Sequence, residues 1–261
     1  MIKSAVFLMA MLLLFSCKKE VKTSTQNGGT GNTTGTTIPP VLTSDTLTFS
    51  GYTWTMKNSS TGTLGPGPNN WSKANAYVDS NGYLHLKITK TNGKWYCAEV
   101  QSTQKFGYGK YQFWIDGRID ELDNNVILGL FNYSGTDGID EMDIEYGTFG
   151  GTRANSGFTV YPSAAVGGLQ WHNGFNTTLT NTLTTQRFTR NSDKSVLFEE
   201  ISGFYDDDSH IIDSVSCTNP PNSISQVAMP VYMNLWLNKG DAPVNGLPAE
   251  IVIHSFKFTP Q

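Results

Sequence analysis

Hydrophobic and polar residues alternate with a period of two along several segments of the chain. The alternation is clearest in 83–89, which follows an Asn-Gly turn signal, in 109–115, and in 251–258. No stretch longer than about ten residues has a convincing helical period, and Gly or Pro interrupts most candidates. The pattern therefore predicts a sandwich of two antiparallel β-sheets. Periodicity alone does not separate an immunoglobulin-like sandwich from a jelly roll.

The N-terminal segment has a different pattern. An unbroken apolar run from Ala5 to Phe15 follows Lys3. The run is too short to cross a hydrocarbon core, which needs about 20 residues, but it fits the apolar region of a secretory signal. Leu14 to Cys17 looks like a bacterial lipobox, in which the Cys carries the lipid. We therefore expect a lipoprotein signal peptide at 1–16 and lipidation at Cys17; the alternative is an ordinary cleaved signal with an incidental Cys.

The segment 17–44 has no aromatic residue and no hydrophobic period, and it is rich in Gly, Thr and Asn. Such a segment cannot bury enough apolar surface to offset chain entropy, so we expect a disordered tether. The remaining residues, 45–261, have no second linker and no internal repeat, which predicts one folded domain. The expected location is exported and lipid-anchored, at the bacterial outer membrane or cell surface.

Composition narrows the classes of protein. Of the 261 residues only 15% are charged, the formal net charge is -4, and 12% are aromatic. A typical soluble domain is about a quarter charged, so a coiled coil, a disordered acidic tail and a polybasic nucleic-acid binder are all poor fits. The many aromatic residues and 26 Gly instead suit a β protein with many loops.

The candidate chemistry concentrates in 140–147, Asp-Glu-Met-Asp-Ile-Glu-Tyr-Gly. On a strand, Glu141, Asp143 and Glu145 project from one face. Neighbouring members lie roughly 6.6 Å apart and the outer pair about 13 Å apart between Cα atoms. Two Glu side chains that lean together could reach the separation of about 5 to 5.5 Å that a retaining glycosidase uses.

Like charges on one sheet face repel each other, and this repulsion has a chemical use. It raises at least one pKa, so that one carboxyl keeps a proton for a leaving group while another stays ionised. The spacing alone is equally compatible with a solvated outer face or with part of a cation site. The neighbouring motifs are therefore needed to choose between these interpretations.

With those motifs included, the chain resembles glycoside hydrolase family 16, and in particular its bacterial lichenases and laminarinases. The acidic strand is similar to the family's Glu-x-Asp-x-Glu pattern. Four further motifs occur in the right order over most of Trp54 to Gly240. They are Cys97-Ala-Glu-Val-Gln-Ser, Phe106-Gly-Tyr-Gly-Lys-Tyr-Gln, Phe131-Asn-Tyr and Met233-Asn-Leu-Trp-Leu-Asn.

The resemblance implies a fold, a reaction and roles for individual residues. The fold would be a concanavalin-type jelly-roll sandwich with an open concave cleft. The reaction would be endo-hydrolysis of a β-glucan, with β-1,3 or mixed β-1,3-1,4 linkages, by retaining double displacement. Glu141 would be the nucleophile and Glu145 the acid/base, while Asp143 would hold the nucleophile by a hydrogen bond. Four matching positions would contact sugar, although the aromatic ones could equally fill the core and Glu99 could be an exposed carboxylate: Glu99, Tyr133, Asn234 and Trp236.

Several positions depart from the family pattern. Gly138 and Ile139 replace a Trp, Gln101 replaces an Arg, and 159–161, Thr-Val-Tyr, replaces an Asn-x-Tyr strand. The segment 186–216 has no recognisable family motif. These changes leave the substrate open, and a galactan such as agarose is an alternative. Two further classes of protein also stay open, namely a non-catalytic carbohydrate-binding module on the same fold and a purely structural surface protein.

The sequence gives little support for metal-dependent, phosphate-binding or serine-hydrolase chemistry. The four His residues have no zinc-ligand spacing, and there is no phosphate-binding loop or G-x-S-x-G elbow. His172, beside Trp171, is a candidate to line the cleft. The acidic run 206–208 is typical of a solvated turn and less often of a calcium site, so we predict no catalytic metal and no required cofactor. The expected partners are the polysaccharide and, through the lipid, a membrane; we expect no nucleic acid and a monomer.

Two further expectations concern cysteine and charge. Cys97 and Cys217 remain after lipidation, and in an oxidising compartment they either form one disulfide or stay as two buried thiols. The motif positions expected in the cleft include no basic residue, which favours an uncharged substrate over a sulfated one. The position of Arg153, in a loop, is left open.

Overall fold

The computed structural model describes residues 44–193, 195–218 and 224–261. The predicted signal peptide, the lipidation site Cys17 and all but the last residue of the predicted tether lie outside these ranges. Within them we find no helix with the length and hydrophobicity that a membrane crossing requires. Among the described residues, the regular elements are β-strands and three short 3₁₀ turns, at Lys73–Asn75, Ile119–Glu121 and Asn238–Gly240.

The strands, numbered in chain order, form two sheets in which neighbouring strands pair antiparallel. The first sheet has eight strands, in the spatial order β1 (Thr46–Phe49), β2 (Tyr52–Met56), β6 (Ala98–Phe106), β15 (Met229–Leu237), β8 (Val126–Tyr133), β9 (Glu141–Tyr146), β10 (Ser156–Tyr161) and β11 (Trp171–Phe175). The second has the order β14 (Ile211–Cys217), β13 (Val196–Ser202), β12 (Leu183–Arg190), β7 (Gly109–Asp116), β16 (Ala249–Pro260), β4 (Leu84–Thr91) and β3 (Ala76–Val78), with β5 (Lys94–Tyr96) paired to β4.

The sandwich follows from the alternation of side chains along the strands. In β4, for example, Leu84, Leu86 and Ile88 are fully buried, whereas the residues between them are partly exposed. Alternate burial of this kind is expected when one face of a strand packs on the other sheet and one faces solvent. The prediction of an all-β sandwich of two antiparallel sheets is confirmed, and its topology is the jelly roll.

The core between the sheets is rich in aromatic side chains, as the composition suggested. Phe106, Tyr111 and Phe256 pack edge to face, with ring centroids 5.8 to 6.2 Å apart. Tyr146 of β9 donates a hydrogen bond across the core to Gln186 Oε1 of β12, at 2.7 Å. This hydrogen bond connects the buried face of β9 to the second sheet. It helps to fix the position of β9, whose outer face carries the candidate carboxyl groups.

Candidate active site

Strand β9 presents its three carboxyl groups on the outer face of the first sheet. Glu141, Asp143 and Glu145 line one groove there. The alternate residues, Met142, Ile144 and Tyr146, are fully buried in the core. The period of two thus separates the hydrophobic side of this strand from its chemical side, as the sequence predicted.

The groove is open and encloses about 820 Å³. All four positions at which the family resemblance implied sugar contact line it: Glu99, Tyr133, Asn234 and Trp236. The structure therefore brings these side chains together with the acidic strand, although they come from β6, β8 and β15. Their roles toward a sugar remain predictions.

Two glycines flank Glu145 across the sheet. Gly129 of β8 and Gly157 of β10 are its direct cross-strand partners. A side chain at Gly129 would meet the amide of Asn234, whose Oδ1 is 2.4 Å from the position of the missing Cβ. A side chain at Gly157 would meet His172, whose Cε1 is 2.9 Å from the corresponding position. Side chains of Asn234 from β15 and His172 from β11 thus occupy the space over these two glycines.

Aromatic residues flank the other end of the acidic row. Tyr133 and Tyr161 are the direct partners of Glu141. Tyr133 donates a 2.7 Å hydrogen bond to Asp137 Oδ1. Burial raises the pKa of the Tyr133 hydroxyl above its usual range, and the hydrogen bond to Asp137 adds to this. Burial also raises the pKa of Tyr161, helped by the charge of the nearby carboxylates. Both phenols are therefore neutral hydrogen-bonding groups at neutral pH.

Burial and mutual repulsion shift the ionisation of the acidic row. Burial raises the pKa of Glu141 to about 7; a hydrogen bond with Asp143 opposes this rise, and the charge of Glu145 adds to it. Burial also raises the pKa of Glu145 to about 7, against the opposing charge of Arg153. The pKa of Asp143 is raised as well, by burial and then by the charges on both Glu residues. Near neutral pH the three carboxyl groups are therefore partly protonated and partly ionised.

A hydrogen-bonded cation, Lys57, lies at the far end of the cross-strand row that runs from Glu145 through Gly129 and Asn234 to Glu99. Lys57 Nζ is 2.8 Å from Glu99 Oε1 and 2.6 Å from the carbonyl oxygen of Gly65, and it lies over the ring of Trp71. Asn234 Nδ2 donates to the other oxygen of Glu99, at 3.0 Å. Glu99 is only 6% exposed. It is thus a buried, paired carboxylate and not an exposed one.

Aromatic rings line the groove as well. Phe131 and Tyr232 are stacked, with centroids 5.0 Å apart and planes 11° apart. Trp236, 9% exposed, meets the ring of Phe149 edge to face at 6.0 Å. Sugar rings pack well on such faces because their C–H groups are apolar while their hydroxyls reach polar neighbours.

The motif positions in the groove include no basic residue, but two basic residues from outside the motifs join them. Lys57 and Arg153 both line the groove. Lys57 comes from the chain just after β2, where no motif marked it, and Arg153 from the loop between β9 and β10. The charge of Lys57 is met by Glu99. The Arg153 guanidinium stacks over the Phe149 ring at 4.3 Å.

The remaining candidate positions have other surroundings. His172 lies on the edge strand β11, and its Nδ1 is 3.0 Å from Thr159 Oγ1. The acidic run 206–208 packs around an arginine: the carbonyl oxygens of Asp206 and Asp207 and the carboxylate of Asp208 accept hydrogen bonds from Arg187. Among the described residues, no cluster of three or more His, Cys, Asp or Glu could hold a metal ion.

Cys97 and Cys217 are both buried, and no disulfide joins them. Cys97 precedes β6 in the first sheet, whereas Cys217 ends β14 at the edge of the second. The Cys97 thiol donates to Asn69 Oδ1 at 3.4 Å. Burial raises the pKa of this thiol to about 12, so it stays protonated at neutral pH. Of the two possibilities that the sequence left open, the structure has the two buried thiols.

Sequence reasoning missed several groove residues. They are Lys57, Asp137, Phe149 and Tyr232, whereas Arg153, whose position the sequence left open, and Tyr161, in the segment 159–161 noted as a departure, also line the groove. Tyr232 had a detectable signal, since it stands two residues before Asn234 and so shares its strand face. The others lie in or next to loops, where alternation gives no direction to the side chain.

Comparison with known proteins identifies the fold. No protein-family model matches the chain, and no curated protein does. Among solved structures, a beta-glucanase from Bacillus licheniformis has a TM-score of 0.61 at 21% identity, and the match covers 84% of this chain and 100% of that one. A beta-1,3-glucanase from Mycobacterium marinum has a TM-score of 0.57 at 20% identity, covering 79% and 90%. A glycoside hydrolase family 16 endo-glucanase from Bacteroides ovatus has 0.58 at 14%, covering 79% and 94%. This chain has the same jelly-roll fold as these proteins.

Proposed function

We propose that the chain is an endo-acting glycoside hydrolase of the family 16 type. It would cleave a β-glucan with β-1,3 or mixed β-1,3-1,4 linkages by retaining double displacement. The observation that carries this proposal is the position of Glu141 and Glu145 on one face of β9, in an open groove, each with a pKa of about 7. Two carboxyl groups of this kind meet the needs of a retaining glycosidase, which requires one ionised and one protonated group.

In the proposed first step, the ionised Glu141 attacks the anomeric carbon as the glycosidic bond breaks. Glu145 gives its proton to the departing oxygen, so the leaving sugar departs as a neutral alcohol. In the second step, the ionised Glu145 takes a proton from water, and the resulting hydroxide oxygen displaces Glu141 from the sugar. Glu141 is thereby regenerated as a carboxylate, and Glu145 regains its proton. This chemistry requires no cofactor.

Asp143 would act on Glu141 and not on the substrate. Its raised pKa favours the protonated form, which can donate a hydrogen bond to the ionised nucleophile. One Asp143 oxygen, Oδ1, is buried without a hydrogen-bond partner in the described structure. A neutral carboxyl tolerates such surroundings better than a carboxylate does.

The shape and lining of the groove support an endo-acting enzyme and a sugar polymer. The groove is open, so a chain could lie in it without threading an end. The solved structures with this fold include an endo-glucanase in complex with G4G3G-2F-DNP and a mixed-linkage glucan protein in complex with a G4G4G3G product. A polymer outside the cell also suits the proposed export and lipid anchoring at Cys17.

The test compares the wild type with Glu141→Gln and Glu145→Gln on lichenan, laminarin, agarose and carrageenan. We expect hydrolysis of a β-glucan by the wild type, and a loss on the order of 10² to 10⁴-fold in kcat for each variant, because each removes an ionisable carboxyl at nearly constant volume. With an activated aryl glycoside and added azide, the Glu145 variant should recover turnover and yield a β-glycosyl azide, whereas the Glu141 variant should not recover.

The matched control is Glu121→Gln, which changes an exposed Glu that pairs with Arg118 away from the groove. It should keep wild-type turnover. Full activity in either groove variant would show that the catalytic assignment is wrong. Binding of oligosaccharides by a wild type that hydrolyses none of the four polymers would instead favour the carbohydrate-binding module. Preferred cleavage of agarose would favour the galactan hydrolase.

A further inference from the structure

The groove extends past β9 to Tyr161 at the end of β10 and to Arg153 in the loop before it, and His172 of β11 lies next to this part of the groove, over Gly157 of β10. A polymer whose cleaved bond lies over the acidic row must occupy both sides of β9. Phe131, Tyr232, Trp236 and the amide of Asn234 line the part of the groove formed by β8 and β15. Arg153 and His172 lie near Glu145, and the proposed reaction uses neither of them.

Arg153 is held in place, but its hydrogen-bonding edge has no partner among the residues that the structure describes. The loop 147–155 is fixed by hydrogen bonds from Gly150 N to the carbonyl of Asn124, at 2.7 Å, and from Arg153 N to the carbonyl of Thr148, at 3.0 Å. The guanidinium stacks on Phe149 at 4.3 Å. It makes no ion pair within 4.0 Å and no side-chain hydrogen bond with the described residues. A stacked arginine of this kind offers up to five N–H donors to a ligand.

His172 is also fixed, by a hydrogen bond and by two glycines. Its Nδ1 is engaged with Thr159 Oγ1 at 3.0 Å, which leaves Nε2 for another partner. The ring occupies space that a Cβ at Gly157 or Gly174 would enter, since its atoms lie 2.9 and 3.2 Å from those positions. Burial lowers the pKa of His172, and the charge of Arg153 lowers it further, so the ring is neutral at neutral pH.

We propose that Arg153 and His172 form a subsite for the leaving-group sugar of a neutral β-glucan, with the two side chains hydrogen-bonding its hydroxyl oxygens. This inference rests on the proposed function and adds to it a determinant of substrate length. The subsite is assigned to the leaving sugar because both side chains lie near Glu145, the residue that would protonate the departing oxygen: His172 lies over Gly157, the cross-strand partner of Glu145, and the charge of Arg153 acts on the Glu145 carboxyl.

The charges of the groove favour a neutral sugar at this subsite. Glu141, Asp143 and Glu145 lie beside it, and even partial ionisation of this row would repel a sulfate or carboxylate group. Hydroxyl oxygens accept hydrogen bonds from arginine without that penalty. Tyr161, whose hydroxyl is neutral, borders the same part of the groove.

The experiment measures a ratio of kcat/KM values for two substrates with the same sugars on the non-reducing side. One is a mixed-linkage glucan hexasaccharide; the other is the aryl β-glycoside of its non-reducing trisaccharide, which has no leaving sugar. We expect Arg153→Ala to lower the hexasaccharide-to-aryl ratio about tenfold, because two hydrogen bonds to the leaving sugar are lost. His172→Phe, which keeps a ring over the glycines but loses the nitrogen atoms, should lower it about threefold.

Two further variants separate sugar binding from other effects. Arg153→Lys keeps the positive charge near Glu145 but loses the planar fork, so the ratio should still fall while the pH profile stays as in the wild type. Lys90→Ala removes another exposed cation that lies over an aromatic ring, Trp95, outside the groove, and should keep the wild-type ratio. An equal loss on both substrates for Arg153→Ala would overturn the proposal and indicate a structural role of the loop.

A binding measurement tests the subsite even if the wild type hydrolyses no glucan. Calorimetry of the hexasaccharide with Glu141→Gln, with and without Arg153→Ala, should show about tenfold weaker binding in the double variant. Unchanged affinity would overturn the subsite, whether or not the wild type hydrolyses glucan. Absence of hydrolysis together with the predicted loss of affinity would overturn only the proposed function. The proposal would also be overturned if carrageenan oligosaccharides bound more tightly than the glucan hexasaccharide and if this binding required Arg153. The ligand of the subsite would then be anionic.

Discussion

The ionisation of the acidic row is the property of single residues that matters most for function. Glu141 and Glu145 each have a pKa of about 7 in the folded chain, against an ordinary value of 4.5. A nucleophile and an acid that ionise in the same range confine activity to a narrow band of pH. The same shifts also make the fold's stability depend on pH.

The pH dependence of stability should show these two groups directly. Because their pKa values are raised by folding, the folded chain binds protons more tightly than the unfolded chain. Their contribution is therefore fully present below about pH 4.5 and lost as the pH rises through about 7. We expect Glu141→Gln/Glu145→Gln to unfold with a flatter pH dependence and to be about 1 to 3 kcal/mol more stable than the wild type at pH 8.

Urea unfolding between pH 4 and pH 8 measures this difference. Glu121→Gln, which lies outside the groove, should keep the wild-type slope. If the double variant and the wild type had the same slope, the groove carboxyl groups would not have raised pKa values, and the proposed acid/base role of Glu145 would lose its physical basis.

At the scale of strands, the neighbours of β9 determine what can approach Glu145. Gly129 lies between Glu145 and Asn234 in one cross-strand row. Its missing side chain leaves room for the Asn234 amide, which donates to Glu99. The glycine thus couples the acidic strand to the Lys57 end of the groove.

Gly129→Ala should disturb this row without unfolding the sheet. The added Cβ would lie 2.4 Å from Asn234 Oδ1, so the amide must rotate and lose its 3.0 Å hydrogen bond to Glu99. A side-chain end can move more easily than backbone, so we expect a small loss of stability, about 1 kcal/mol, and a larger loss of kcat/KM, about tenfold.

Thermal unfolding and kinetics on the preferred glucan test this separation. The matched control is Gly107→Ala, because a Cβ there meets nothing within 4 Å and its backbone does not require glycine. Wild-type kinetics in Gly129→Ala would show that the Asn234 amide has no part in binding or catalysis.

The location of several strands could be predicted from the sequence, whereas the order in which the strands pair could not. Alternation placed strands at 83–89, 109–115 and 251–258, and the structure has them at Leu84–Thr91, Gly109–Asp116 and Ala249–Pro260. Alternation assigns a face to each residue but does not say which strand lies beside it. The pairing of Gly129 and Gly157 with Glu145 was therefore not accessible. Arg153 was not accessible either, because a loop gives its side chains no periodic direction.

At the scale of the whole molecule, the candidate active site and a buried, stabilising ion pair lie on different sheets. The groove lies on the outer face of the first sheet. On the second sheet, Arg187 of β12 is 1% exposed and is covered by the loop 203–210, whose carbonyl oxygens at Asp206 and Asp207 accept its hydrogen bonds. Its guanidinium also pairs with both oxygens of Glu199, at 2.6 and 2.8 Å. This buried ion pair fastens the loop to the sheet.

Arg187→Met should therefore weaken the fold and leave the groove intact. Removing the cation leaves Glu199, 4% exposed, as an unpaired buried charge, and breaking a pair in this way costs about 3 to 5 kcal/mol. Arg187→Met/Glu199→Gln should recover part of the loss, because no unpaired charge remains. Lys257→Met, which removes the exposed partner of Asp206, should cost at most about 1 kcal/mol. Urea unfolding gives these energies, and kcat/KM well below the unfolding temperature gives the activity of the folded fraction. A drop in kcat/KM that follows the loss of stability would show that the two sheets are coupled, and that the second sheet helps to shape the groove.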